Sequence, residues 1–84
     1  MKVDFYSYNF DHKPRKIFTL GVVDGEAKVT GGDPNNALAK TILSDAFPAD
    51  ATMEELIIPS DGDKFLELAA AHYSGSRVRA EIIQ

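Results

Sequence analysis

Asp24-Gly25, set between two alternating apolar stretches, constrains the fold of this chain more than any other pair of residues. A two-residue type I′ hairpin needs positive φ at both central positions, and Asp-Gly is one of the few dipeptides that accept it. Pairing then follows by counting outward from the turn. Val22 faces Ala27, Leu20 faces Val29, and Phe18 lies on the same side. That face is apolar, while Thr19, Gly21, Lys28 and Thr30 take the other. The hairpin therefore has a defined inside and outside.

Upstream, residues 3–10 are rich in aromatics and read as a strand. His12-Lys13-Pro14-Arg15-Lys16 is a polar, proline-containing connection. Pairing Phe10 with Phe18 sets Tyr8 against Leu20 and Tyr6 against Val22, which gathers apolar groups on one face. Ser7 and Asn9 then join Thr19 and Gly21 on the outer face. This register leaves Val3, Phe5, Val23 and Ile17 outside, needing cover.

Gly31-Gly32 ends the third strand, and Asp33-Pro34 predicts a helix start with Asp33 as N-cap and Pro34 in the first turn. Leu38, Ile42 and Leu43 mark its buried stripe, and the helix should stop near Asp45, ahead of Phe47-Pro48. Residues 46–59 read as a loop with a short extended piece at Leu56-Ile57-Ile58; Thr52-Met53-Glu54-Glu55 also fits a capping box. Ser60 is the expected cap of a second helix, with Phe65, Leu68, Ala69 and His72 at helical spacing and Leu66 and Tyr73 beside them. Gly75 is the expected left-handed residue that ends it. Val78, Ala80 and Ile82 then alternate inward as a strand, with Arg77, Arg79 and Glu81 outward. The fold class is α+β: a two-layer sandwich of a three-stranded antiparallel meander plus a C-terminal strand, with two helices packed on one face. The last strand joins an edge beside the first or the third strand, and residues 1–84 form a single domain.

Eighty-four residues bury one core, roughly 60–65% of the unfolded surface at this size. The absence of cysteine excludes disulfides, thiolate metal sites and a cysteine nucleophile. Apolar runs are too short to span a membrane and no leader pattern opens the sequence, so a cytoplasmic protein is expected. The net charge of −4 argues against general affinity for nucleic acid, which rests on phosphate neutralisation.

Chemistry-bearing residues crowd only at His72-Tyr73-Ser74-Gly75-Ser76. A nucleophilic serine there lacks the Gly-x-Ser-x-Gly elbow, and helix termination explains the same residues. His12 and His72 are distant and have no metal-ligand spacing; Asp61-Gly62-Asp63 lacks the spaced ligands of a calcium loop. No metal and no cofactor is therefore expected. Residues 31–41 carry the outline of a phosphate loop, but Ala39 stands where glycine must precede Lys40-Thr41, and Asp33 and Pro34 spoil the anion site. No acid–base pair can be placed, so no catalytic residue and no enzyme activity is expected.

Asp61-Gly62-Asp63-Lys64-Phe65-Leu66 followed by Tyr73-Ser74-Gly75-Ser76-Arg77-Val78-Arg79-Ala80-Glu81-Ile82 resembles the ending of a loose group of small uncharacterised bacterial proteins. The resemblance covers about half of the chain. It implies a bacterial, cytoplasmic, single-domain protein and carries no activity to transfer.

Two functions follow as expectations. The first is a small interaction or regulatory module that binds a protein partner or a second copy of itself. Its outer sheet face would use Arg77, Arg79, Phe5, Ser7, Gly21 and Val23, with Val3 and Ile83 as further apolar groups. The second is a nucleic-acid-binding module using Phe5, Tyr6, Tyr8, Arg77, Arg79 and the connection Lys13, Arg15 and Lys16.

Overall fold

The computed structural model describes residues 1–8, 13–52, 54–75 and 77–84. Strands β1 (Lys2–Tyr8), β2 (Pro14–Val23) and β3 (Glu26–Gly32) precede helix α1 (Ala37–Leu43). Two-residue strands β4 (Phe47–Pro48) and β5 (Leu56–Ile57) pair with each other. A 3-10 turn (Pro59–Asp61), helix α2 (Asp63–His72) and strand β6 (Val78–Ile83) follow. The main sheet is antiparallel, in the order β3-β2-β1-β6, so the last strand joins the edge beside β1. The helices pack on one face, giving the α+β two-layer architecture expected from the pattern.

The hairpin forms as the dipeptide requires. Asp24 has φ 54° and Gly25 φ 79°, and Val22 pairs with Ala27 and Leu20 with Val29. The first strand departs from the expected register. Phe5 pairs with Phe18 and Val3 with Leu20, and the pairing shifts between Phe5 and Tyr6 so that Tyr6 meets Lys16 and Tyr8 meets Pro14. Val3 and Phe5 are consequently buried, and Tyr6 and Tyr8 turn outward. The physical reason is the phenol hydroxyl. Val3 and Phe5 can be enclosed without leaving a polar atom unpaired, whereas a buried tyrosine must find a partner for its OH. Phe5 stacks on Phe18 with ring centroids 4.9 Å apart. The expected pairing of Phe10 and the place of His12 fall outside the described residues.

Helix caps also differ from expectation. Asn36, not Asp33, caps α1, its Oδ1 accepting from the N–H groups of Leu38 (2.9 Å) and Ala39 (3.1 Å). Asp33 closes a turn before the helix by accepting from the Asn35 N–H. Pro34 fits that turn as well as it would fit a helix start. Ser60 lies inside the 3-10 turn, where the Asp61 carboxylate accepts from the Ile58 N–H, and Gly62 takes the N-cap position of α2. On α2 the buried residues are Phe65, Leu66, Ala69 and Ala70; Leu68 is half-buried and His72 exposed. The stripe is rotated by one residue from the expected one, with Leu66 and Ala70 taking the buried places expected for Leu68 and His72. Gly75 is not left-handed; α2 ends at Tyr73, whose N–H donates to the Ala69 carbonyl. In the 46–59 segment, β4 and β5 make the extended piece, and the Met53 capping box falls outside the described residues.

Gly62 is the position where backbone freedom decides the packing. It sits at φ 58° and ψ −122°, and a Cβ there would approach the carbonyl oxygen of Gly25 to 2.9 Å. Gly62→Ala combines a disfavoured backbone with that collision and should cost about 1–3 kcal/mol. Urea denaturation of the variant, compared with Gly75→Ala, where a Cβ meets no atom within 4 Å, measures it.

Candidate interaction surface

The face of the sheet opposite the helices is built by alternation from β1, β2, β3 and β6. Asp4 lies between Thr19 and Glu81, and Tyr6 between Lys16 and Arg79. Tyr8 follows between Pro14 and Arg77, its N–H donating to the Arg77 carbonyl. Toward the hairpin, Gly21 lies between Lys28 and Lys2, and Lys2 is next to Ile83.

Tyr6, Tyr8, Arg79 and Glu81 act as one group. The Arg79 guanidinium lies over the Tyr6 ring, 5.4 Å from its centroid, and donates to the Glu81 carboxylate at 3.1 Å. Its pKa is raised, first by charge interaction with Tyr8, then by hydrogen bonds to Glu81 and Tyr8. Both members of the Arg79–Glu81 pair are about half exposed, so the pair contributes tenths of a kcal/mol. Its effect is to hold a planar cation over an aromatic ring. Arg77 is exposed at the same end of the face.

Asp4 is the residue that sequence reasoning missed. It is 6% exposed although it points away from the helices, and it accepts a hydrogen bond from the Thr19 hydroxyl. Lys16 approaches its other oxygen at 4.0 Å. A carboxylate next to a threonine across a strand pair carries no motif, and only the observed register brings the two together.

Several expected surface residues are placed elsewhere. Phe5 and Val3 are fully enclosed in the core and cannot meet a partner. Ser7 pairs with Arg15 and Val78 on the face that carries Phe5, at the far end of β1 from Gly21. The pairing also turns Arg15 away from Tyr6. Gly21 is on the outer face but covered: Thr30 approaches its ideal Cβ position to 2.9 Å. Val23 is 41% exposed beside the hairpin turn, and Ile83 43% exposed at the β6 edge. Arg77, Arg79, Lys16, Tyr6 and Tyr8 are brought together, and Lys13 is exposed just before β2.

The His72-to-Gly75 segment is used structurally. The Tyr73 hydroxyl donates to the Asp45 carboxylate at 2.7 Å, and the Ser74 hydroxyl donates to the Ala70 carbonyl at 2.7 Å. His72 packs its ring on Phe47 at 5.2 Å. Ser76 falls outside the described residues. Asp45 is held below the usual carboxylate range, first by the Tyr73 hydrogen bond and then by the Ala46 N–H. A depression of about 220 Å³ lies beside Lys16, Thr19 and Gly31-Gly32, smaller than the roughly 300 Å³ at which ligand pockets begin. Among the described residues no group of His, Asp or Glu could hold a metal, and no helix is long and apolar enough to cross a membrane. Comparison with protein-family models, with curated proteins and with solved structures gives no match.

Two measurements check this geometry. Thr19→Val leaves a nearly enclosed carboxylate short of a donor and should lower stability by about 2 kcal/mol in urea denaturation. Tyr73 has its pKa pushed up to about 12 by partial burial and by its bond to Asp45. A folded-state value above the free phenol's 10.0 means a contribution fully present below pH 10 and lost as pH rises toward 12. Ultraviolet titration should therefore show a tyrosine ionising late, and Tyr73→Phe should remove that step.

Proposed function

We propose that this chain is a small non-enzymatic binding module that docks a protein partner on its uncovered sheet face. The observation that carries the reading is the gathering of Tyr6, Tyr8, Arg77 and Arg79 at one end of a sheet face that no helix among the described residues covers. Tyrosine and arginine are the residue types that most often dominate binding energy at protein interfaces. Tyrosine brings large contact area with little rotamer entropy, and the entropy that an arginine would lose is reduced here because Arg79 is already held in place by Tyr6 and Glu81.

Charge narrows the partner. Among the described residues on this face, Lys2, Lys16, Lys28, Arg77 and Arg79 outnumber Asp4, Glu26 and Glu81, although the whole chain carries −4. A cationic face on an acidic protein favours an acidic partner surface and disfavours contact between the backs of two such chains.

A second reading, single-stranded nucleic acid, is favoured by the outward turn of Tyr6 and Tyr8, which base stacking requires. Two features weigh against it. Arg79 occupies the ring face of Tyr6 that a base would need, and Asp4 and Glu81 adjoin the same end of the face.

Immobilised protein, wild type against Arg77→Ala/Arg79→Ala, separates the readings. Proteins retained from a lysate of the source organism and identified by mass spectrometry should bind the double variant roughly tenfold or more weakly, as loss of hot-spot residues implies. The same proteins retained equally by both would remove the first reading. Anisotropy with a labelled single-stranded oligonucleotide tests the second: affinity that falls steeply with salt, and falls again in the double variant, would favour it.

A further inference from the structure

The free edge of β6 is used neither by the core nor by the outer face. Among the described residues, β6 pairs with β1 alone and forms one border of the sheet. The Tyr8 N–H reaches the Arg77 carbonyl, so the backbone groups of Val78, Ala80 and Ile82 alternate away from β1. The strand contains no proline or glycine, and its pairing with β1 runs without a register shift. It therefore lacks two common devices that stop an edge from accepting another strand. A turn after α2 covers it instead. The Gly75 N–H donates to the Val78 carbonyl at 2.7 Å, and the Ala80 N–H donates to the Ser74 hydroxyl at 3.3 Å. This cap reaches only the first half of the strand; Ile82 and Ile83 beyond it are each 43% exposed.

The strand beneath the cap is complementary to itself. An antiparallel copy related by a two-fold axis at Ala80 sets Arg79 opposite Glu81 of the second copy on one face, twice over. On the other face it sets Val78 opposite Ile82 of the second copy. Moving the axis by one residue brings Arg79 against Arg79 or Glu81 against Glu81, like charges directly opposed. Among these three neighbouring registers, the one about Ala80 alone opposes no like charges. Arg79 and Glu81 already meet within the chain while half exposed, so each can change partner at little cost.

We propose that β6 is a self-pairing strand held shut by Ser74 and Gly75. When the turn leaves the edge, a second copy of this chain adds its own β6 antiparallel about Ala80, and the two sheets become continuous. This device shares Arg79 with the outer face, but it uses the backbone edge of β6 and is read by oligomeric state alone.

Sedimentation equilibrium of the full chain tests it. Ser74→Ala removes the Ala80 tether and should tighten self-association about fivefold relative to wild type, one net hydrogen bond of about 1 kcal/mol. In the Ser74→Ala background, Arg79→Glu alone and Glu81→Arg alone should each sediment as monomers while keeping the native circular dichroism. An equimolar mixture of these two variants should form a mixed dimer, because every opposed pair is then Glu with Arg. Tighter association lost in the single variants and regained on mixing supports the proposal. Ser74→Ala that sediments as wild type at all concentrations, or a mixture that stays monomeric, overturns it.

Discussion

The stacking of Phe5 on Phe18 is the contact on which the rest of the molecule depends. It fixes which parity of β1 faces the helices, and a strand has only two choices. With odd residues inward, Val3 and Phe5 join Leu20, Ile42 and Phe65 in one core, and even residues form the solvent side. Every property of the outer face follows from that choice: the outward tyrosines, the enclosed Asp4, the cation resting on an aromatic ring. Burying two phenylalanine side chains contributes on the order of several kcal/mol, far more than the polar contacts on the other face. The core therefore decides and the surface chemistry follows.

Asp4 then acts as a check on the decision. A carboxylate held by a neighbouring hydroxyl and approached by Lys16 tolerates little displacement. A slip of β1 by one residue would bury Asp4 among phenylalanines without partners, at a cost of several kcal/mol. The residue thus disfavours the wrong register more than it strengthens the right one.

What was legible in the sequence depended on whether a signal was local. The Asp24-Gly25 turn, the inward alternation of Val78, Ala80 and Ile82, and the α+β architecture each rest on residues close in the chain or on a simple period. The register of β1 was not legible, because both of its faces carry aromatics and the expected connection His12-Lys13-Pro14-Arg15-Lys16 gives no turn arithmetic. Caps were misplaced where acceptable capping residues stood a few positions apart: Asp33 and Asn36 both suit an N-cap, and Asn36 is the one that meets the Leu38 and Ala39 N–H groups. Phe5 and Ser7 were misjudged as surface for the register's reason alone, whereas Gly21 lies on the expected face and is covered by Thr30. Arg77 and Arg79 stayed where the pattern put them, because β6 is a short strand with one apolar face.

Gly62 and Gly25, distant in the chain, form a single steric unit where the start of α2 rests on the hairpin turn. Hairpin tips are ordinarily the places where a protein accepts inserted peptides, epitope tags or circular permutation. Here the tip is the floor beneath a helix N-terminus, and any lengthening at Gly25 would push against the backbone of Gly62. For anyone engineering this scaffold, the usual insertion point is closed.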